Sequence, residues 1–361
     1  MIDGKEPIVH VFPKGAFTNG YIHFVNEKFM DSKHLFLVYG KQNDTVCTLD
    51  EKNVIEHKNI VSILREKTYL KNSRKIIFHG VFSFEIYIWL FLNPSFLKKT
   101  YFVFWGGDLY CYNTKRKGLK VKILSIIRKS IVNNVAGIVN LIPEDFELVK
   151  KLYKPKGKNF LGVYSSSDDN KILECCLKKK MEKEKKDYVV NIQIGNSATP
   201  TNRHLEVFEL LKCYANENIK LYVPLSYGDE EYKKQVIQYG KDLFGDKFVP
   251  LTEFMEFEKY SEFLANIDIG IFNNNRQQAM GNICYLAYLG CKIYLAGDMP
   301  MWSYYKDYVK CKFFKIESIS NCKYEDFIEI KEEIQLDNRN SIEWLLSEKR
   351  AIELWKDIFK N

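Results

Sequence analysis

The chain has 361 residues, 46% of them hydrophobic and 15% aromatic, and carries a formal net charge of +8. That length exceeds one ordinary core and points to two domains, while the apolar content excludes wholesale disorder. No apolar run reaches the roughly 18 residues of a membrane span, and "MIDGKEPIVHVF" lacks a basic leader followed by a signal-peptide core, so a soluble, unexported chain is expected.

The nine cysteines include no C-x-x-C pair, so buried reduced thiols of a cytosolic protein are expected, not a disulfide or metal framework. In the first half, strand-like runs fall at 8–12, 34–40, 75–80, 100–105 and 136–140. Helical patterns lie between them, from Asn19 to Met30, Glu85 to Leu92, Lys115 to Asn133 and Pro143 to Tyr153. Such alternation predicts parallel sheets with helices on both faces. Within it, "KRKGLKVKILSIIRKS" (115–130) holds seven Lys or Arg and no acid. Apolar residues interleave with the charges. The segment reads either as a basic amphipathic helix on an anionic membrane surface or as a core-packed helix with a solvated lysine face. Nucleic acid is not the expected partner, because no helix-turn-helix, zinc or RNA-recognition signature accompanies the charge.

The charged run "KKKMEKEKKD" (178–187) is a linker or the polar end of a helix, and it is taken as the domain boundary. Beyond it, strands are predicted at 188–197, 219–224, 247–250, 267–272, 292–296 and 312–315. Helices are predicted over Asn202 to Ala215, Asp229 to Phe244, Glu256 to Asn266 and Gly281 to Leu289, and a helical segment closes the chain. The expected organisation is a Rossmann-like domain over 1–180, a second over 187–335, and a helical tail over 336–361, with a ligand cleft at the carboxyl ends of the strands.

Segment 272–282, "FNNNRQQAMGN", joins such a strand end to a helix N-terminus, where unpaired amides and the helix dipole favour an anion. Arg276 adds a planar cation, Gly281 permits close backbone approach, and Gln277, Gln278 and Asn282 add neutral hydrogen-bonding groups. A diphosphate is the natural guest. Gly195, Asn196 and Ser197 repeat the arrangement after the second domain's first strand and predict a small amide nest, with Thr201 or Asn202 capping the next helix. Neither a G-x-G-x-x-G nor a G-x-x-x-x-G-K-[ST] occurs at these turns, which disfavours a dinucleotide redox enzyme and a P-loop NTPase. In the first domain His79 and Asp108 end strands. Either is a candidate to take a proton from an attacking hydroxyl, against the alternatives of a satisfied core histidine and a helix N-cap. The absence of a D-x-D triplet makes metal-free stabilisation of the diphosphate the consistent expectation.

Taken in order, "FHG" (78–80), "WGGDLY" (105–110), "GNS" (195–197), "VPLSYG" (223–228) and "RQQAMGN" (276–282) resemble glycosyltransferase family 56, the 4-acetamido-4,6-dideoxygalactose transferases of enterobacterial common antigen synthesis. The likeness runs from about Val9 to Trp302. It implies a GT-B fold, with a nucleoside-diphosphate sugar on the second domain. The first domain would face an undecaprenyl-diphosphate-linked saccharide at the inner membrane leaflet. Carried over by motif, Arg276, Gln277, Gln278, Gly281 and Asn282 fall in the donor-diphosphate loop, with Gly195, Asn196 and Ser197 opposite. Tyr227 and Glu253 would contact nucleoside or sugar, and His79 and Asp108 remain the catalytic candidates. The E-x7-E pair of the largest retaining GT-B family is missing, since no acid lies between Asp268 and Asp298. The expected protein is therefore a cytoplasmic, peripheral inner-membrane glycosyltransferase. A nucleotide-sugar epimerase and a non-catalytic sugar-binding accessory protein are the alternatives.

Overall fold

The computed structural model describes residues 6–15, 18–40, 51–110, 118–164, 167–182, 189–255 and 257–361. Basic residues 115–117, residues 183–187 of the charged run 178–187, and Glu256 lie outside the described residues. The chain divides into two compact units, Met1–Ser167 with Ser347–Asn361, and Asp168–Leu346.

The first unit is built on seven strands: β1 (Ile8–Pro13), β2 (His34–Tyr39), β3 (Val54–His57), β4 (Lys75–His79), β5 (Thr100–Val103), β6 (Gly137–Asn140) and β7 (Lys158–Leu161). They lie in the order β3-β2-β1-β4-β5-β6-β7, and every pairing is parallel. Helices cover both faces, so β4, β5 and β6 are buried at every position, as their near-continuous apolar runs require. The two strands that sequence reading misses, β3 and β7, are the sheet edges. Half-exposed edges carry Glu56, His57, Lys158 and Asn159 and so lack an apolar signature.

The second unit repeats the plan with six strands: β8 (Val190–Ile194), β9 (Ile219–Pro224), β10 (Phe248–Leu251), β11 (Ile269–Phe272), β12 (Lys292–Leu295) and β13 (Phe314–Lys315). Their order is β10-β9-β8-β11-β12-β13, again parallel throughout. Its core joins Ile192 and Ile194 of β8, Leu221 and Val223 of β9, and Ile269 and Ile271 of β11 to Val207 and Phe208 of the helix His204–Leu211. Each sheet reverses direction between its first and fourth strands, β1/β4 and β8/β11. In a doubly wound sheet the crevice beside that reversal is where ligands bind.

Two boundaries differ from the sequence reading. The helix Ser167–Met181 belongs to the second unit: Cys176 is buried, Lys179 reaches Ser261 Oγ at 3.1 Å, and Lys180 donates to the Ile267 carbonyl. Residues 178–181 are thus the end of a packed helix, and the division falls at 167/168. The closing helix, Glu348–Lys360, is no separate tail. It returns to the first unit, where Trp355, Ile358 and Phe359 pack with Tyr21, Phe36 and Ile77, and the Trp355 indole donates to Val163 O at 2.7 Å.

The basic segment forms the helix Leu119–Asn134. Only its second half packs, through Arg128, Ile131 and Val132, whereas Leu119 (75% exposed), Ile123 and Ile126 face outward beside Lys120, Lys122 and Lys129. Among the described residues no helix is long and apolar enough to cross a membrane, and every described cysteine is free.

Candidate active site at the β8/β11 switch point

The turn after β8 is shaped by Gly195, whose φ is +65°. A Cβ there would lie 2.7 Å from His204 Nε2 and 2.8 Å from Asn202 Oδ1, so no larger residue fits. Asn202, 1% exposed, ties this turn to the loop after β11. Its Oδ1 accepts from Asn196 N (3.2 Å) and from Asn274 Nδ2 (3.0 Å), while its Nδ2 donates to Ser197 O and Thr199 Oγ1, both at 2.9 Å. The next residue, Arg203, sits at φ 50° and clasps Asn273, with Nε on its carbonyl at 2.8 Å and Nη2 on its Oδ1 at 2.7 Å. Arg203 occupies the cap position of the helix His204–Leu211, where Thr201 or Asn202 had been expected.

The loop after β11 is held from the other side. Gln278 Nε2 donates to Asn196 Oδ1 at 2.9 Å, its Oε1 accepts from Thr201 Oγ1 at 2.6 Å, and Asn196 Nδ2 reaches Tyr227 OH at 2.9 Å. Asn196, Tyr227 and Gln278 thereby link the loops that follow β8, β9 and β11. Ala279, at φ 61°, then starts the helix Met280–Tyr288. Two of the three described non-glycine residues with positive φ, Arg203 and Ala279, therefore bracket this point. Such conformations cost about 1–3 kcal/mol each and persist where surrounding structure enforces them, often at functional sites.

Gly281 is exposed in the first turn of that helix, and nothing lies within 4 Å of where its Cβ would stand. A helix leaves its first amides without an intrahelical acceptor, so those of Met280, Gly281 and Asn282 form the positive end of the dipole. Arg276 is half-buried beside them, its Nη1 on Gln277 O at 3.2 Å. Four buried polar atoms at the same place, Gln193 Oε1, His204 Nε2, Asn274 Oδ1 and Gln277 Oε1, have no hydrogen-bond partner among the described residues. An unsatisfied buried group costs about 1–3 kcal/mol; three of these four are amide oxygens, acceptors that a hydroxyl or water would satisfy and a phosphate would not. Burial pushes His204 down to about 3, so its ring is neutral at physiological pH.

Several expected donors are spent on building the loops. Gly195 N–H bonds Ile271 O at 2.9 Å and Asn196 N–H bonds Asn202, so the predicted amide nest does not form, and Ser197 is buried. Asn282 Oδ1 accepts from Gln193 Nε2 (2.9 Å) and Tyr260 OH (3.2 Å). Gln277 is buried, with Nε2 against Met280 Sδ. Glu253 is exposed beyond the edge strand β10, outside this network. Arg203 and Gln193 are participants that sequence reading passed over, and Asn202, expected only as a helix cap, instead bridges the two loops. Gln193 alone carried a signal, a polar residue inside the apolar run of β8.

The two first-unit candidates require correction. Asp108 is 1% exposed, and its carboxylate accepts from the amides of Val81 (2.7 Å), Trp105 (2.8 Å) and Leu109 (3.0 Å). Burial raises it to about 6 against the opposing pull of these amides and Arg128. It staples two loops. His79 is equally buried in a chain of rings: His34 Nδ1 to His10 Nε2 at 3.0 Å, His10 Nδ1 to His79 Nε2 at 3.1 Å, and His79 Nδ1 to Tyr164 OH at 2.6 Å. Burial holds His79 and His10 well below the usual histidine range, so both are neutral core histidines and neither is an accessible base.

The whole chain is similar in fold to solved two-domain enzymes. A glycosyltransferase from Rickettsia africae matches with TM-score 0.64 and 14% identity over 98% of this chain and 99% of that one. HepE of Anabaena, solved with UDP and glucose, matches with TM-score 0.65 and 10% identity over 98% and 99%. The sucrose-phosphate synthase of Thermosynechococcus elongatus matches with TM-score 0.64 and 7% identity over 98% of each chain. The fold is GT-B, as expected from the sequence. The family model described as 4-alpha-L-fucosyltransferase glycosyl transferase group 56 matches residues 16–358, nearly the full length. The chain belongs to that family and is a glycosyltransferase using a nucleotide-sugar donor, which sets aside the epimerase and the accessory protein.

Proposed function

We propose that the β8/β11 switch point binds the diphosphate of the nucleotide sugar. The enzyme then transfers a fucose-like or 4,6-dideoxyamino sugar to an undecaprenyl-diphosphate-linked saccharide in the synthesis of a bacterial surface polysaccharide such as enterobacterial common antigen or lipopolysaccharide. The observation that carries this reading is the open first turn of the helix at Gly281, with the half-buried guanidinium of Arg276 in the loop that leads into it, where a doubly wound sheet reverses. As the glycosidic bond to the donor breaks, negative charge grows on the departing diphosphate. A fixed guanidinium and helix amides aimed at that charge stabilise the transition state more than the ground state. Asn196 and Gln278 set the loop's position, and the exposed ring of Tyr227, hydrogen-bonded to Asn196, lies ready to flank nucleoside or sugar. No metal is needed for this step in the proposed scheme.

The enzyme works at the cytoplasmic face of the inner membrane, resting on anionic lipid through the helix Leu119–Asn134, whose outward Leu119, Ile123 and Ile126 stand among lysines. The test is product formation from a panel of nucleoside-diphosphate sugars with and without a polyprenyl-diphosphate-linked acceptor. Sugar transfer only when both are present is expected. Turnover of the donor to an isomer without acceptor would contradict the assignment.

A further inference from the structure

We infer that Tyr164 takes the proton of the acceptor hydroxyl during sugar transfer, and that a wire of three histidines, His79, His10 and His34, carries that proton through the core of the first unit to the amino ends of its strands. The inference rests on the transferase reading, because transfer to a hydroxyl is what releases the proton. It gives His79 a part that needs no contact with substrate.

The wire is continuous. Tyr164 follows β7 and Trp105 follows β5, so both stand at the carboxyl ends of strands, where parallel sheets accept ligands, and both rings are half-buried. The Trp105 indole N–H donates to Tyr164 OH at 2.9 Å, which leaves the Tyr164 proton for His79 Nδ1 at 2.6 Å. From there the contacts run from His79 Nε2 to His10 Nδ1 at 3.1 Å and from His10 Nε2 to His34 Nδ1 at 3.0 Å. His79 closes β4, His10 lies within β1 and His34 opens β2, so the path descends from the carboxyl to the amino ends of the sheet. Phe12 stacks on His79 at 4.3 Å and Phe36 on His10 at 4.7 Å, which keeps the middle of the path dry. Exposure is 1% or less at His79 and His10 and returns to 7% at His34.

A core that needs only bulk at these places would use phenylalanine, as it does at Phe12 and Phe36, because a buried polar ring costs free energy unless its hydrogen bonds are all made. Here one is left open. With Tyr164 donating to His79, each Nε2–H donates to the next Nδ1, and the N–H left over is that of His34 Nε2, a buried atom with no hydrogen-bond partner among the described residues. Burial holds all three rings neutral, His34 at about 3, and holds Tyr164 well above the usual phenol range. No member can therefore keep a proton or lose one alone, and a concerted shift is the route that buries no charge. As the acceptor oxygen bonds the sugar's anomeric carbon, the bond from that carbon to the donor diphosphate breaks and its electron pair leaves on the diphosphate. The acceptor proton passes to Tyr164 O, the Tyr164 proton to His79 Nδ1 and the His79 Nε2 proton to His10 Nδ1. The His10 Nε2 proton then passes to His34 Nδ1, and the His34 Nε2 proton to water. Every ring ends neutral in its other tautomer. After the product leaves, the reverse shift, from water at His34 to water at Tyr164, resets the wire.

Glutamine is the discriminating substitution, because its amide donates and accepts hydrogen bonds yet does not trade an N–H for a lone pair as imidazole does. In steady-state transfer by the full chain, with the donor and acceptor that the nucleotide-sugar panel yields, His34→Gln should lower kcat about a hundredfold with KM and melting temperature kept. Tyr164→Phe should lower kcat to the same degree and the double variant no further, because a wire is broken once, whereas separate packing defects add. In mixtures of light and heavy water, kcat of the wild type should follow a curved dependence, the mark of several protons moving together, and His34→Gln a straight one. Near-normal kcat in folded His34→Gln, or losses that add in the double variant, would overturn the inference. Nitrogen NMR of the 15N-histidine-labelled chain judges the wire without substrate. His79, His10 and His34 should all carry the proton on Nε2, and one ring in the opposite tautomer would overturn it. The two readings separate in the wild type: if it transfers sugar and His34→Gln matches it, only the wire falls; if it transfers none from any donor, the transferase reading falls and the wire with it.

Discussion

The two sheets share one topology, yet their switch points have been put to opposite uses. At β1/β4 the chemistry-bearing residues turn inward: His10 and His79 stack into a buried chain, and Asp108 is consumed by three backbone amides. At β8/β11 they turn toward one another across three loops, leave four polar atoms unpartnered, and hold two non-glycine residues in left-handed backbone. Strand-end position therefore does not by itself make a residue functional. Unpartnered buried atoms occur in both units, His34 Nε2, His57 Nε2 and Asn140 Oδ1 among those of the first. What distinguishes the β8/β11 switch point is left-handed non-glycine backbone on both sides of an open helix N-terminus, whereas at β1/β4 the His79 ring and the Asp108 carboxylate are taken up by partners.

The sharpest way to break this contrast is at Arg276. Arg276→Ala should lower kcat/KM by about a hundredfold, the loss typical of one preorganised charge-stabilising donor, with the melting temperature unchanged. Steady-state kinetics beside thermal unfolding checks it, and near-normal turnover would make the second switch point as structural as the first. Asp108→Asn probes the other side. An amide cannot accept all three N–H bonds, so the variant should lose about 1–3 kcal/mol of stability while the folded enzyme keeps its kcat/KM. A large kinetic defect in stable protein would return Asp108 to the chemistry.

Acid should also separate the buried groups. His10, His34 and His79 have folded pKa values below the ordinary 6.5, so their stabilising effect is present above that pH and is lost as pH falls through 6.5 and below. Asp108 and Asp145 are raised to about 6 and about 7, so they act in the opposite sense and favour the folded state as pH falls from their folded values toward 3.8. With His204, held at about 3, the buried histidines number four against two carboxylates, so stability should fall on balance as pH drops from roughly 6 to 4. Denaturant unfolding across that window measures it, and rising stability would mean that the rings are not held neutral. The smallest effect is expected at Tyr227→Phe, which removes the 2.9 Å bond to Asn196 at an exposed position and should cost about threefold in KM with kcat intact.

Much of the fold was legible in the sequence because buried parallel strands are continuous apolar runs. The edges β3 and β7 were not, since half-solvated strands carry polar residues. The family likeness was also legible, read from five short motifs, and the family model matches residues 16–358. Side-chain direction was the hidden quantity. In a strand buried on both faces the apolar-polar alternation disappears, so "KIIFHG" could not say that His79 points into the core. Nor could local sequence show Asn202 bridging to Asn274, 72 positions away, because that bond exists only after β8 and β11 pair. The helix Glu348–Lys360 read as a tail for the same reason. Its apolar stripe was visible, but its partners Tyr21 and Phe36 lie more than 300 residues earlier.

The most direct test of the central claim is calorimetric titration of nucleoside diphosphates carrying each common base into wild type, Arg276→Ala and Asp108→Asn. The account predicts that one nucleotide binds wild type and Asp108→Asn alike and binds Arg276→Ala about tenfold or more weakly. Undiminished affinity in Arg276→Ala would contradict a diphosphate site at the β8/β11 switch point.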